Sequence, residues 1–599
     1  MIRTRRITIR YDGGSGGSGP LTFGQDNMIR CIRYDEPEQI NKQGTWPVPE
    51  GTGLTAALAA LRTLVERHET LRTVFPSPAG DPEGFPDRQE VRAQGGFNVE
   101  VIPAGHLDSA ELEPFAEELG RKEMAVRFDL SRDFPLRCTL LTDGERLLRM
   151  VVVVCHAAVD GVGTALLIQE WAQLAAGVRL PPVGSRTPLE VAAAERSQVG
   201  LRRAHGSLRH WERVLRTSPH AVFADSRLTR PPAELALLIC RSRSAARALE
   251  AASQRTGSTP STVLLAAFAA LVAHRADQPE LVIAALSANR HRPGLADYRG
   301  TIAQDGFLAL DAGVADLDEL IGRTKAASLT GFLNSTFDAE KVWRMIEDTA
   351  HRRGARFARH VVVNDLSLAV PEAVLDARAG GAEDPEITWL PDERLPTRVM
   401  FNILRVRGRL EFALLTCPQV LDRTETEQFV HGLLALVAAA AEGNVPLAGL
   451  GSLTGVGQGL RTGDWQRLDH SWIDLDAVRE LLGSVLGEGA RFRVEVEDGR
   501  LVARVQPGEG AARTGPQGLH RAVMAVLQQY ETAMAPQHYV VHDRAVHDAA
   551  DASADWERLP VLAEGDGRDP EVADWQALLR LPRPSQTSSL VSGPSMTVV

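Results

Sequence analysis

The chain has 599 residues, of which 44% are hydrophobic and 24% charged, with a formal net charge of −11. That length calls for three or four domains with separate cores, and the acidic balance argues against a general nucleic-acid binder. No apolar run approaches the ~20 residues a membrane span needs, and the arginines near the N-terminus precede no apolar segment of a secretory signal. The five cysteines, Cys31, Cys138, Cys155, Cys240 and Cys417, stand singly without a CxxC pair. This pattern fits a reducing cytoplasm and no structural zinc.

In chain order, Ile2, Ile7, Ile9 and Tyr11 alternate and read as a short strand, and the Gly/Ser run 13–19 reads as a flexible linker. Leu54, Ala57, Leu58, Leu61, Leu64 and Val65 form a helical stripe. That stripe runs into the charged segment Arg67-His68-Glu69-Thr70-Leu71-Arg72-Thr73-Val74-Phe75. An acidic helix is expected near 109–124, followed by strands at 136–141 and 147–154 across a turn at 142–145.

The stretch from Leu147 to Trp171 organises the rest. It opens as a β-branched apolar run typical of a strand buried on both faces. It closes with Leu166, Leu167, Trp171 and Leu174 at helical spacing. Between the two lie Cys155, His156, Asp160, Gly161 and Gly163. A buried strand that delivers an imidazole at its end is a common way to present a general base.

The Pro/Gly-rich segment 180–188 marks a boundary, and an arginine-rich helix at about 189–215 bridges two halves. Its Arg202, Arg203, Arg209 and Arg213 make either a solvated face or a surface for an acidic partner. Strands and helices then alternate to about residue 441, which argues α/β layers. After Gly443 the pattern changes to a small domain, with a hairpin signal at Asp498-Gly499. The polar tail beyond 584 reads as disordered.

These residues resemble a known family. His156-Ala-Ala-Val-Asp160-Gly161 is similar to the His-His-x-x-x-Asp-Gly signature of nonribosomal peptide synthetase condensation domains. The segment 67–75 is similar to the family's Arg-His-Glu-x-Leu-Arg-Thr-x-Phe element. Further likenesses are Pro20-Leu-Thr-Phe-Gly-Gln25, Asn289-Arg290-His-Arg-Pro293, Gly300-Thr-Ile-Ala-Gln304-Asp305 and the segment 360–367. The resemblance covers residues ~20–450. It implies two chloramphenicol acetyltransferase-like α/β subdomains in a V, at 20–185 and 186–450, with the active site at their junction. A strand and linker at 1–19 would precede them. Residues 455–565 resemble the C-terminal subdomain of adenylation domains, an α+β unit, but lack its catalytic lysine; no lysine follows Lys341. A tail at 566–599 closes the chain.

The implied activity is a stand-alone condensation enzyme of a natural-product pathway. It would join a carrier-bound acyl or aminoacyl thioester to an amine or hydroxyl acceptor, in the cytoplasm and away from membranes. No cofactor or metal is bound directly; phosphopantetheine arrives on a peptidyl or acyl carrier protein. Two alternatives are an acyltransferase using coenzyme A thioesters or a soluble acceptor, and a non-catalytic platform that recruits partner enzymes. His156 matches the motif's second histidine and takes the catalytic role; a strand-end histidine without chemistry is the plain alternative. Asp160 is expected to hold the turn by pairing with Arg72, or failing that Arg67. Gly161 is expected to exclude a side chain, for its φ or for substrate approach. Cys155 replaces the first motif histidine; a packed thiol is the leading role for it, with tunnel lining as the second. Asn364 and Ser367 are expected along the tunnel.

Overall fold

The structure is a computed structural model and describes residues 4–81, 84–229, 234–368, 384–487, 489–508, 515–543, 556 and 559–568. The disorder expected at the end of the tail falls outside these residues.

The first half is built on a five-stranded sheet in the order β1-β6-β7-β8-β3. Its strands are β1 (Arg5–Asp12), β3 (Lys42–Trp46), β6 (Gln94–Pro103), β7 (Leu136–Asp143) and β8 (Arg146–Val154). Neighbours run antiparallel except β6 and β7. The run Met150–Val154 is apolar throughout because both faces of β8 are covered. Val152 and Val154 join a core with α3 (Leu54–Arg67) and α5 (Gly161–Ala175), whereas Val151 packs with α4 (Ser109–Met124) on the other face. The helical stripe read from the sequence supplies Ala57, Leu61, Leu64 and Val65 to that core.

The Gly/Ser run is not a free linker. Gly17–Pro20 forms β2, which pairs with β5 (Arg88–Val91) in a small sheet that also holds β4 (Thr73–Val74). Gly13 lies against the Arg72 guanidinium, where a β-carbon would come within 2.2 Å of Cζ. A side chain there would collide with the arginine, so the small residues serve close approach rather than flexibility. Just beyond, Thr22 caps α1 (Phe23–Tyr34): its hydroxyl accepts from the Gln25 amide at 3.1 Å, and Gln25 Oε1 accepts from the Thr22 amide at 2.8 Å.

A four-residue turn, α2 (Pro37–Ile40), precedes β3. Two helices link the halves, α6 (Pro188–Glu195) and α7 (Gln198–Thr217). The second half holds a seven-stranded sheet in the order β11-β10-β12-β14-β15-β9-β13. These strands are β9 (Leu235–Ser242), β10 (Glu280–Ser287), β11 (Gln304–Asp311), β12 (Val361–Asp365), β13 (Glu386–Glu393), β14 (Val399–Arg405) and β15 (Leu410–Thr416). Along β10, Leu281, Ile283 and Ala285 face one core, and Val282 and Ala284 the other. The first core takes in α8 (Arg243–Thr256), α9 (Pro260–Ala276), α10 (Leu317–Leu333) and α12 (Arg423–Glu442); the second takes in α7 and α11 (Ala339–Arg353). The middle of helix α9, Val263–Val272, is apolar all round because it is buried all round. Among the described residues no single helix is long and apolar enough to cross a membrane.

Residues past 464 form a two-stranded ribbon and a four-stranded sheet, packed with helices Leu475–Leu486 and Pro516–Val526 around a separate core. This unit is tied to the second half by many polar contacts. Arg353 Nε donates to Asp469 at 2.7 Å, Trp472 Nε1 to the Asp277 carbonyl at 2.9 Å, and the Ala535 amide to the Gly354 carbonyl at 2.7 Å. At the centre, Glu531 Oε1 lies 3.1 Å from Arg398 Nη2 and 3.2 Å from His360 Nε2, all three side chains buried. Deleting one member of a buried charged group leaves the other charge uncompensated. Glu531→Ala is therefore expected to cost about 3 kcal/mol, a drop of several degrees in Tm by differential scanning calorimetry. An unchanged Tm would show that the contact carries no stability.

Candidate active site

Strand β8 ends at Val154, and residues 155–160 turn into α5, placing His156 just past the buried strand. Asp160 is the N-cap of that helix. Its Oδ1 accepts the Gly163 amide at 2.8 Å. The same carboxylate is gripped by the other half of the molecule. Arg290 donates from Nη2 to Oδ1 at 2.7 Å and from Nη1 to Oδ2 at 3.0 Å. The Ile302 and Ala303 amides both donate to Oδ2 at 3.1 Å. Arg290 is fixed in turn by the carbonyls of Ala288, Tyr298 and Gly300. Thr301 completes the seam: its hydroxyl donates to the His156 carbonyl at 2.5 Å and its amide to the Ala158 carbonyl at 3.2 Å.

The arginine that holds Asp160 is thus Arg290, not Arg72 or Arg67. Arg72 is buried, but it donates to the carbonyls of Val65, Ser15 and Arg92, where it ties the Gly/Ser segment down. Arg67 Nε pairs with Glu170 on α5, and His68 Nε2 meets the same carboxylate at 2.8 Å. Arg299 Nη2 reaches it at 3.3 Å. Burial alone would raise the Glu170 carboxyl, but hydrogen bonds from His68 and Arg67 and their charges hold it down at about 2. Helix α5 is therefore anchored at its start by Asp160 and, farther along, by Glu170.

The imidazole of His156 is surrounded by protein yet not fully closed off from solvent. Its Nδ1 is buried and has no hydrogen-bond partner of good geometry. Burial, with the Lys42 ammonium adding to it and Asp160 opposing, holds the ring down at about 4. Lys42 stands opposite Val154 in the β3–β8 ladder. Burial depresses its own pKa, while Glu393 at the end of β13 partly restores it. The ring is neutral at pH 7, and no hydrogen bond joins it to Asp160.

Cys155 points into the first core, where burial raises its thiol to about 11. It is a packed thiol that stays protonated. Asn364 Nδ2 donates to Asn402 Oδ1 at 3.3 Å, and Ser367 hydrogen-bonds Asp365 through its hydroxyl and amide. Neither bonds to the His156 turn. Gly161 behaves differently from the expectation on φ: its φ is not positive, and a β-carbon there meets nothing within 4 Å. The sterically obligatory glycine is Gly163, where a β-carbon would sit 2.1 Å from the Arg299 carbonyl oxygen. The residues the sequence reading passed over are Arg290, Thr301, Glu170 and Lys42. Arg290 and Thr301 lie in motifs already singled out; Glu170 and Lys42 carried no local signal.

Against this geometry, the family model "Condensation domain" matches residues 35–375, more than half of the chain. The chain belongs to the condensation-domain family. CymA of Salinispora arenicola, described as a probable non-canonical nonribosomal peptide synthetase, is 25% identical over 476 residues, 75% of this chain but 6% of CymA. Phosphinothricin tripeptide synthetase PhsC of Streptomyces viridochromogenes is 27% identical over 299 residues, 48% of this chain and 27% of PhsC. The chain thus spans a minor fraction of these curated relatives. Among solved structures, the condensation domain from monacolin K polyketide synthase MokA aligns with a TM-score of 0.57 at 18% identity, covering 72% of this chain and 99% of that one. At that identity the likeness is one of fold. The two layered α/β halves are those of the condensation fold, and residues beyond 375 fall outside the match to the family model.

The two glycines of the turn give an opposed pair of outcomes. Gly163→Ala forces a methyl against the Arg299 carbonyl and is expected to cost about 2–3 kcal/mol, whereas Gly161→Ala is expected to leave stability within about 0.5 kcal/mol. Urea unfolding of both variants checks this, and equal losses would contradict the placement of α5.

Proposed function

We propose that this chain is a condensation enzyme. It forms an amide or ester between a carrier-bound acyl or aminoacyl thioester and an amine or hydroxyl acceptor, with His156 as the catalytic group. The observation that carries the proposal is a neutral, partly open imidazole set by a rigid turn where the two halves are bound together. Family membership points to thioester substrates. The phosphopantetheine thiol comes with the carrier protein, so the chain itself needs no bound cofactor. Five free cysteines fit a reducing, cytoplasmic setting.

The chemistry follows from the pKa. An α-amine near 8 holds its proton about four pH units more tightly than His156 at about 4, a difference of roughly 5 kcal/mol. His156 does not strip an ammonium ion. It accepts a hydrogen bond from the neutral amine as the nitrogen attacks the thioester carbon. Once the C–N bond forms, the nitrogen becomes strongly acidic, and its proton passes to the imidazole. The C–S bond then breaks and the proton leaves with the thiol. Because Nδ1 is buried, Nε2 is the nitrogen that faces the reaction. The first turn of α5 presents the Gly161 amide and the positive end of the helix dipole to the developing oxyanion. The open space over Gly161 fits substrate approach. Asn364 and Ser367 fit the wall of the substrate tunnel. Residues 455–565 serve as a docking element derived from an adenylation subdomain.

The test is a carrier protein loaded with a mass-tagged acyl group, incubated with amine acceptors. His156→Ala is expected to lower turnover by roughly 10²–10⁴-fold, and Cys155→Ala to keep most of it. The wild-type rate should show no His156 inflection near pH 6.5. Equal turnover by wild type and His156→Ala would overturn the assignment. Carrier binding without product in either protein would favour a non-catalytic platform.

A further inference from the structure

Away from the His156 turn, a cavity of about 240 Å³ opens between α6, the first turn of α7, the start of α1 and the loop after β10. Three guanidinium groups line it, each from a different segment: Arg186 ahead of α6, Arg203 on α7 and Arg292 on the loop. Among the described residues none of the three has a carboxylate within 4 Å, in a chain whose net charge is −11. Arg292 Nη2 donates to Asn289 Oδ1 at 3.3 Å, while its Nε is buried without a partner. Burial and, next, the nearby Arg203 charge together lower the Arg292 pKa to about 10 against the pull of Glu195. Gathering three like charges with too little counter-charge is unfavourable unless something else supplies the negative charge.

The acid in the cavity is Glu195, at the end of α6. One of its oxygens is taken by the Phe23 amide at 2.7 Å. Burial raises its carboxyl to about 7, with the Phe23 amide, Arg292 and Arg196 pulling the other way. A single acid that titrates near neutral pH against three guanidiniums leaves an excess of at least two positive charges. The α7 N-terminus adds its dipole on the same side. Phe23 and Leu295 give the cavity an apolar wall.

We propose that this cavity binds a tetrahedral dianion of the phosphate class, free or as a small monoester. The charge excess matches a dianion, and guanidinium forks match its oxygens. Arg292 lies two residues from Arg290, so the ligand shares the loop that grips Asp160.

The experiment is isothermal titration calorimetry on the full-length chain at constant ionic strength. Sodium sulfate, inorganic phosphate and glycerol 3-phosphate are the titrants, and chloride is the control. One saturable site is expected, with Kd of roughly a millimolar or tighter. Arg203→Gln and Arg292→Gln should each weaken binding by roughly tenfold, and Glu195→Gln should tighten it. Arg203 is exposed on its helix, so Arg203→Gln keeps the proposal testable even if Arg292→Gln fails to fold. Tighter binding of glycerol 3-phosphate than of inorganic phosphate assigns the site to an ester; the reverse assigns it to the free anion. Heats no larger than those of chloride, or unchanged affinity in Arg203→Gln, would overturn the proposal.

Discussion

One buried carboxylate governs the centre of this molecule. Asp160 accepts five hydrogen bonds: one from its own helix, two from Arg290, and two from the amides of Ile302 and Ala303. An ionised group out of water is tolerated only when its oxygens are so thoroughly occupied. The cost of burying it is offset only when α5 and the 289–303 loop are both in place, so this one side chain couples the first half of the fold to the second. It also has no capacity left for His156. The aspartate of the motif builds the frame, and the imidazole stands in it without a carboxylate partner.

That separation sets the character of the histidine. A ring hydrogen-bonded to a carboxylate would be more basic than usual; this one is pushed the other way by burial and Lys42. In the proposed reaction its proton is exchanged late, with an acidic intermediate rather than with a free ammonium ion. The Glu170 cluster does parallel work farther along α5, where Arg67, His68 and Arg299 converge on one acid. With both anchors set, the helix has little freedom to shift, and the turn before it inherits that rigidity.

Much of this frame is legible in the amino-acid sequence, because it rests on local patterns. The β8–turn–α5 unit follows from a β-branched run, a turn rich in glycine and a helical stripe. The packed role of Cys155 follows from strand parity and burial. What fails to show is long-range pairing. Arg72 and Arg290 both occur in motif-like contexts, and nothing local reveals that Arg72 satisfies itself on carbonyls while Arg290 crosses 130 residues to Asp160. Gly161 and Gly163 look alike as letters; only the Arg299 carbonyl distinguishes them. The Gly/Ser run reads as flexible until a buried guanidinium is found against it.

The direct test of the clamp is a double-mutant cycle on stability with Asp160→Asn, Arg290→Gln and the pair. A fully buried bidentate pair predicts that each single change costs about 3–5 kcal/mol, and that the double costs roughly 2 kcal/mol less than their sum. Losses that add within about 0.5 kcal/mol would contradict the account, because Asp160 and Arg290 would then act independently.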